Sequence, residues 1–255
     1  MKVLKIIVLA FSPFLCFAQN NLGFNLEDIS TQKGILGLSD YAVMIGESKY
    51  PLIGIATTNF YAQTDCNAIK GLVIFPSNKA AWKFQTGLLS NRSLQQYTTS
   101  IAWCQRLATN VELGTSFHLA RDQFPELIQY HFEWEVSAKV KWDRHQLMLW
   151  MRAPGSETYD EKVSAGGFYW RYRLGDQLMI QSGLRMRSNA GSRWFVGLVQ
   201  KTKRQGEWFG WLAPMPMTIG TGWSRCNGHW SWGIAIVWSA MPLPSFQQVL
   251  VHEKN

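Results

Sequence analysis

The sequence predicts an all-β chain: an antiparallel transmembrane β-barrel of about 12–14 strands. Three observations carry the prediction. The chain begins with an export signal, it then alternates apolar and polar residues through most of its length, and its apolar stripes end in tryptophan and tyrosine.

The first element is the leader. Lys2 and Lys5 form a positive start, Ile6 to Phe17 form an apolar run interrupted only by Ser12 and Pro13, and Ala18 precedes Gln19. A basic start, a short apolar stretch and a small residue at the junction describe a secretory signal peptide. The run falls short of the roughly 20 apolar residues that a spanning helix needs. Cys16 follows the bulky Leu15 rather than the small residue that lipoprotein processing wants. Cleavage is therefore expected after Ala18, which makes 1–18 the signal peptide. Residues 19–50 are less regular and read as a short plug or periplasmic segment, and 51–255 read as the barrel. No second domain, linker or low-complexity tract is visible.

Cleavage would remove two lysines and no acid, lowering the net charge from +8 to +6. A basic exported chain fits contact with lipopolysaccharide phosphates or acidic glycans, and it carries no Lys/Arg-rich run of the kind that binds nucleic acid. The three remaining cysteines, Cys66, Cys104 and Cys226, are widely spaced and lack any CxxC. Isolated thiols are the simpler expectation, although one pair could close.

The strands follow in order. Tyr97, Thr99, Ile101 and Trp103 oppose Thr98, Ser100, Ala102 and Cys104. Val111, Leu113, Thr115, Phe117 and Leu119 oppose Glu112, Gly114, Ser116 and His118. From His131 to Trp142 the separation is complete: Phe132, Trp134, Val136, Ala138, Val140 and Trp142 against Glu133, Glu135, Ser137, Lys139 and Lys141. Strand side chains point to opposite faces in turn, so this segment has one apolar and one charged surface. Phe168, Trp170, Tyr172 and Leu174 oppose Gly167, Tyr169, Arg171 and Arg173, and Leu178 to Met186 opposes Met179 to Arg187. In the last clear strand Trp230, Trp232 and Trp238 bracket Ile234 and Ile236. At about 3.3 Å per residue and a tilt near 40°, this stripe covers roughly 20 Å, comparable to the ~25 Å apolar band of an outer-membrane barrel.

Connections alternate in length. Arg106 to Asn110, Trp142 to His145 and Leu174 to Gln177 read as tight hairpin turns. Asp122 to Glu126, Ala153 to Glu161 and Ser188 to Ser192 read as longer polar loops. Short turns at one end and longer loops at the other are the barrel pattern. A soluble sandwich would also alternate. The aromatic brackets, the 13 tryptophans and the Gly, Ser, Ala and Thr on the polar faces favour a barrel with its apolar face outward and its charges in the lumen.

Tyr97 to Phe117, YTTSIAWCQRLATNVELGTSF, resembles a recurring hairpin of Bacteroidetes outer-membrane proteins of the FadL-like PorV/PorQ group. Tyr172 to Met186 (YRLGDQLMIQSGLRM) and Pro216 to Trp223 (PMTIGTGW) repeat the theme. The resemblance spans most of residues 50–245 and rests on barrel repeats. The Asn-Pro-Ala motif usual near the start of that group is missing here. The resemblance implies an outer-membrane barrel that acts as a passive route for hydrophobic compounds or as an accessory of type IX secretion. It transfers no functional residue.

No GxSxG, HExxH, GxxxxGK[ST] or paired CxxC is present, and Gly220 to Gly222 (GTG) lacks a dinucleotide-loop context. No metal, cofactor or catalytic group is expected, and the chain is read as non-enzymatic. Ser116 and His118 share a strand face, but alternate residues stand about 6.6 Å apart along the backbone, so no direct bond between them is expected. The candidate lumen-lining residues are Glu133, Glu135, Lys139, Lys141, Arg171, Arg173, Arg185 and Arg187. They form either a selectivity surface for anionic or amphipathic solutes or a closed salt-bridge network. The candidate lipid-facing girdle is Trp103, Trp134, Trp142, Trp170, Trp230, Trp232 and Trp238. The expected location is the outer membrane, with its lipid and lipopolysaccharide and envelope secretion proteins as partners. The competing readings are a secreted or periplasmic β-sandwich that binds carbohydrate through exposed aromatics and, more remotely, a barrel lipid enzyme.

Overall fold

The computed structural model describes residues 42–48, 50–59, 67–91, 94–154, 165–187, 191–202, 206–214, 217–238 and 244–253. The predicted leader, its cleavage site, most of the segment 19–50 and Cys66 lie outside the described residues.

Among the described residues, fourteen strands follow one 3-10 helix, Ala42–Glu47. They are β1 (Leu52–Asn59), β2 (Asn67–Pro76), β3 (Ala80–Ser90), β4 (Gln95–Ala108), β5 (Val111–Gln123), β6 (Ile128–Trp142) and β7 (His145–Pro154), then β8 (Ala165–Leu174), β9 (Leu178–Arg187), β10 (Gly191–Lys201), β11 (Gly206–Pro214), β12 (Met217–Asn227), β13 (Trp230–Trp238) and β14 (Ser245–Glu253). Each strand pairs antiparallel with its sequence neighbours, and β1 pairs with β14, from Leu52 opposite Glu253 to Asn59 opposite Phe246. The sheet is therefore a closed barrel at the top of the expected strand range. Closure leaves no free sheet edge, and it rules out the two-sheet sandwich.

The near rim is the one where β1 begins and β14 ends. The tight turns predicted from the sequence all fall there. Residues 109–110 join β4 to β5, Asp143 and Arg144 join β6 to β7, and Gly175 to Gln177 join β8 to β9. Asp143 (φ 47°), Gly175 (φ 72°) and Gly228 (φ 61°) take the left-handed conformation that two- and three-residue hairpins require. At the far rim Phe124 to Leu127 join β5 to β6. The other two expected loops lie mostly outside the described residues.

Strand lengths differ around the barrel. β4, β5 and β6 have 14, 13 and 15 residues, whereas β1, β13 and β14 have 8, 9 and 9. β6 runs on past its last pair with β7, Glu133 opposite Pro154, by the five residues Ile128 to Phe132. That overhang is about 17 Å of strand.

The alternation resolves into two surfaces. Outward residues include Ile53, Ile55, Phe84, Ile101, Phe117, Val136, Leu149, Val196, Leu198 and Ile234, all exposed. Among the described residues the outward face carries only two fixed charges, Arg121 near the far rim and Arg225 near the near rim. The core of the molecule is the lumen itself. On one side Ala42, Met44 and Ile45 of the 3-10 helix join Leu52, Leu72, Ile74, Ala81, Ala102 and Cys104 in a buried apolar cluster. On the other side Met148, Trp150, Tyr169, Phe195, Phe209 and Trp211 are buried inward.

Glycines make room for those rings. Gly183 faces Phe195, Gly222 faces Phe209 and Gly220 faces Trp211 across the sheet, and a Cβ at any of the three would overlap the opposed ring. A ring lying on a facing glycine fills the lumen without widening the wall.

Candidate functional site

The lumen has three parts: a charged wall on β4–β7, the aromatic wall just described, and an open basin at the near rim. The charged wall contains two buried ion-pair groups. In the first, Lys139 Nζ stands 2.6 Å from Glu112 Oε2, with Arg106 Nε and Lys141 Nζ at 3.6 and 4.0 Å from Oε1. Lys139 is 0% exposed. In the second, Arg152 lies 2.9 Å from Glu135 and 3.6 Å from Glu133. Glu135, also 0% exposed, accepts the backbone N–H of Ala42 at 3.1 Å. A buried charge is tolerated only when it is paired and hydrogen-bonded, and each carboxylate here meets a cation on a neighbouring strand.

These pairs hold the 3-10 helix. Its first residue is bound by Glu135, and the carbonyl of Gly46 accepts from Arg106 Nη2 at 3.4 Å. Gly46 sits so close to Cys104 and Glu112 that a side chain there would displace both. Among the described residues neither Cys104 nor Cys226 forms a disulfide.

Towards the far rim the polar contacts continue. Asp122 accepts from Gln96 Nε2 at 2.7 Å and lies 2.8 Å from His131 Nε2. Ser116 Oγ and His118 Nε2 are hydrogen-bonded at 2.7 Å, which overturns the expectation that they stand apart. The backbone spacing is as expected, but the imidazole leans along the strand and closes the gap. Ser116 is 0% exposed, and the pair is a buried polar contact within the lumen.

The basin is a cavity of about 730 Å³ between the near-rim turns. Among the described residues seven basic ones line it: Lys79, Arg106, Lys141, Arg144, Arg171, Arg173 and Lys201. Two acids among the described residues do so, Glu112 and Asp143, leaving a surplus of five positive charges among them. Gly46 and Ser48 of the helical segment form part of its wall, with Met179, Ala81 and Cys104. Arg171 is buried. Its Nε donates to Tyr169 Oη at 3.0 Å, and its guanidinium lies 4.9 Å from the Tyr169 ring centre. Tyr169 Oη in turn bonds Gln181.

The predicted lumen residues divide accordingly. Glu133, Glu135 and Lys139 belong to the ion-pair wall, Lys141 bridges wall and basin, and Arg171 and Arg173 line the basin. Arg185 lies 5.5 Å over the Trp150 ring. Arg187 ends β9, and its side chain lies outside the described residues. Sequence reasoning missed Arg106 and Arg152, although both continue the inward alternation of β4 and β7. It also missed Lys79, Arg144 and Lys201, which sit in turns or at a strand end where the alternation stops.

Every predicted girdle tryptophan is on the outward face. Trp142 stacks on His145 at 5.4 Å, and Trp170 lies 5.9 Å from that ring. Trp103 contacts Trp82 at 6.3 Å, Trp232 contacts Trp223 at 4.7 Å, and Trp230 contacts His252 at 4.6 Å. All of these lie in the near-rim half. Trp134 is mid-strand, and Trp238 marks the far rim.

No protein-family model and no curated protein matches the sequence. Solved structures do match. The chain is similar to a deltaS2 mutant of the monoaromatic hydrocarbon channel TodX, with a TM-score of 0.63 and 8% identity, over 86% of this chain and 94% of that one. It is also similar to the monoaromatic hydrocarbon channel CymD (0.60, 6% identity, 83% and 90% covered). A third similar structure is a FadL homologue from Pseudomonas aeruginosa (0.60, 8% identity, 86% and 94% covered). At such identities the likeness is one of fold: the chain shares the closed antiparallel β-barrel of these structures.

Proposed function

We propose that this chain is a non-enzymatic outer-membrane barrel that serves as a passive route for small or hydrophobic molecules. The observation that carries the reading is the outward face. It is a belt of exposed aliphatic and aromatic side chains whose fixed charges, among the described residues, lie near its two rims. In water such a belt would far exceed the few hundred Å² of contiguous apolar surface that monomers tolerate, whereas in lipid it is the required surface. The fold of the hydrocarbon channels supports the transport reading. The 1–18 leader directs export with cleavage after Ala18, the near rim faces the periplasm as short-turn rims do, and lipid with lipopolysaccharide surrounds the belt. The segment ending in the 3-10 helix acts as a plug.

A second reading is favoured by one observation. The lumen at mid-height is occupied by the helix, the buried ion pairs and the ring–glycine contacts. A filled lumen suits an accessory of an envelope complex, type IX secretion included, as the PorV/PorQ resemblance implies.

Two measurements test these readings. The full chain should fractionate with outer membranes and migrate in a heat-modifiable way; recovery in detergent-free periplasm would end the membrane reading. The purified protein in planar bilayers should conduct if it is a route. Silence even after deletion of residues 19–48 would instead favour the accessory role.

A further inference from the structure

We infer that the near-rim basin is a binding site for small multivalent anions bearing phosphate or carboxylate groups. The inference narrows the transport reading above to an anionic solute and rests on that reading for the route by which the solute arrives.

The first ground is charge that the fold does not consume. Glu112 is matched by the buried Lys139 at 2.6 Å, so it subtracts little from the basin. Among the described residues no acid lies within ion-pair distance of Lys79, Arg144, Arg173 or Lys201. Elsewhere in the lumen Arg152 serves a carboxylate and Arg185 a ring. Among the described residues these four serve neither.

The second ground is convergence. The four come from the β2–β3 turn, the β6–β7 turn, β8 and β10, which are distant in sequence, yet they line one cavity. At about 730 Å³ it falls within the range of small-molecule sites. A concave site walled by protein and lined with one sign of charge focuses the field and concentrates counter-ions. The third ground is a fixed donor. Arg171 is buried in the cavity wall and positioned by Tyr169, so its planar guanidinium does not have to be ordered on binding. Because the surplus is several charges within one cavity, the preferred ligand carries at least two negative charges.

The test is calorimetric titration of the full chain in detergent micelles with pyrophosphate and with citrate, and with acetate as the monovalent reference. Expected is binding of one or both multivalent anions at least tenfold tighter than acetate, weakening at least tenfold between about 50 and 500 mM NaCl. Pyrophosphate against citrate separates phosphate from carboxylate ligands. Combining Arg144→Gln, Arg173→Gln and Lys201→Gln should weaken binding at least tenfold with the heat-modifiable shift retained, and Arg121→Gln on the outward face should leave it unchanged. Should the triple variant lose that shift, the single variants are read instead, each expected to weaken binding two- to threefold. Equal affinity in all variants, or no preference over acetate, would overturn the inference. Because the titration needs no conduction, a silent channel and an absent site are separate results.

Discussion

The two walls of the lumen solve the same packing problem in opposite ways. Along β4–β7 long charged side chains neutralise one another across strands. Across β9–β12 the rings of Phe195, Phe209 and Trp211 are laid onto glycines. The first solution depends on partners and the second on space. A charged wall should therefore fail when one member is removed, and a ring–glycine wall when one atom is added.

The largest effect is expected from Glu112→Leu. It leaves Lys139 buried without its 2.6 Å partner, and breaking a buried pair from one side costs about 3–5 kcal/mol. Urea unfolding in lipid vesicles, followed by tryptophan fluorescence, should show a loss of that size. A change under 1 kcal/mol would mean that solvent reaches Lys139 and that the wall is not dry.

The reverse substitution probes the outside. Ile234→Arg puts a charge in the middle of the outward stripe, where an outer-membrane barrel loses about 2–4 kcal/mol, whereas Trp230→Arg at the rim should lose about 0–1 kcal/mol. Equal losses at the two positions in the same unfolding assay would show that this face does not lie in lipid.

On the aromatic wall, Gly222→Ala adds one methyl group against Phe209 and the Ile234 carbonyl. Overpacking of this kind costs about 1–3 kcal/mol, and Phe209→Leu in the same chain should restore part of it. Failure of the double variant to recover would place the strain in the backbone rather than in the ring. The smallest effect concerns the near-rim aromatics. Trp82→Leu removes the 6.3 Å contact with Trp103 and should cost about 0.5–1.5 kcal/mol beyond the lost area. A double-mutant cycle with Trp103→Leu isolates that coupling.

The walls were not equally legible in the sequence. The outward face was readable because strand alternation has a period of two and β6 and β13 obey it without a break. Every residue assigned outward on those strands is outward. The charged wall was half readable. Glu135 and Lys139 could be placed inside, but their partners could not, because register between neighbours depends on turns whose length alternation does not give. Ser116 and His118 show the same limit on a shorter scale, since backbone spacing alone missed the reach of the imidazole. The basin was the least legible part. Lys79, Arg144 and Lys201 stand where the pattern ends, and only closure of the sheet brings them together.

The unequal strands have a consequence for anything that approaches from the far side. Ile128 to Phe132 of β6 keep their ladder with β5, and β5 keeps its ladder with β4, beyond the last β6–β7 pair. This stretch of the far rim, about 17 Å long, is hydrogen-bonded sheet, and a paired ribbon yields less to an approaching body than a loop of equal length does.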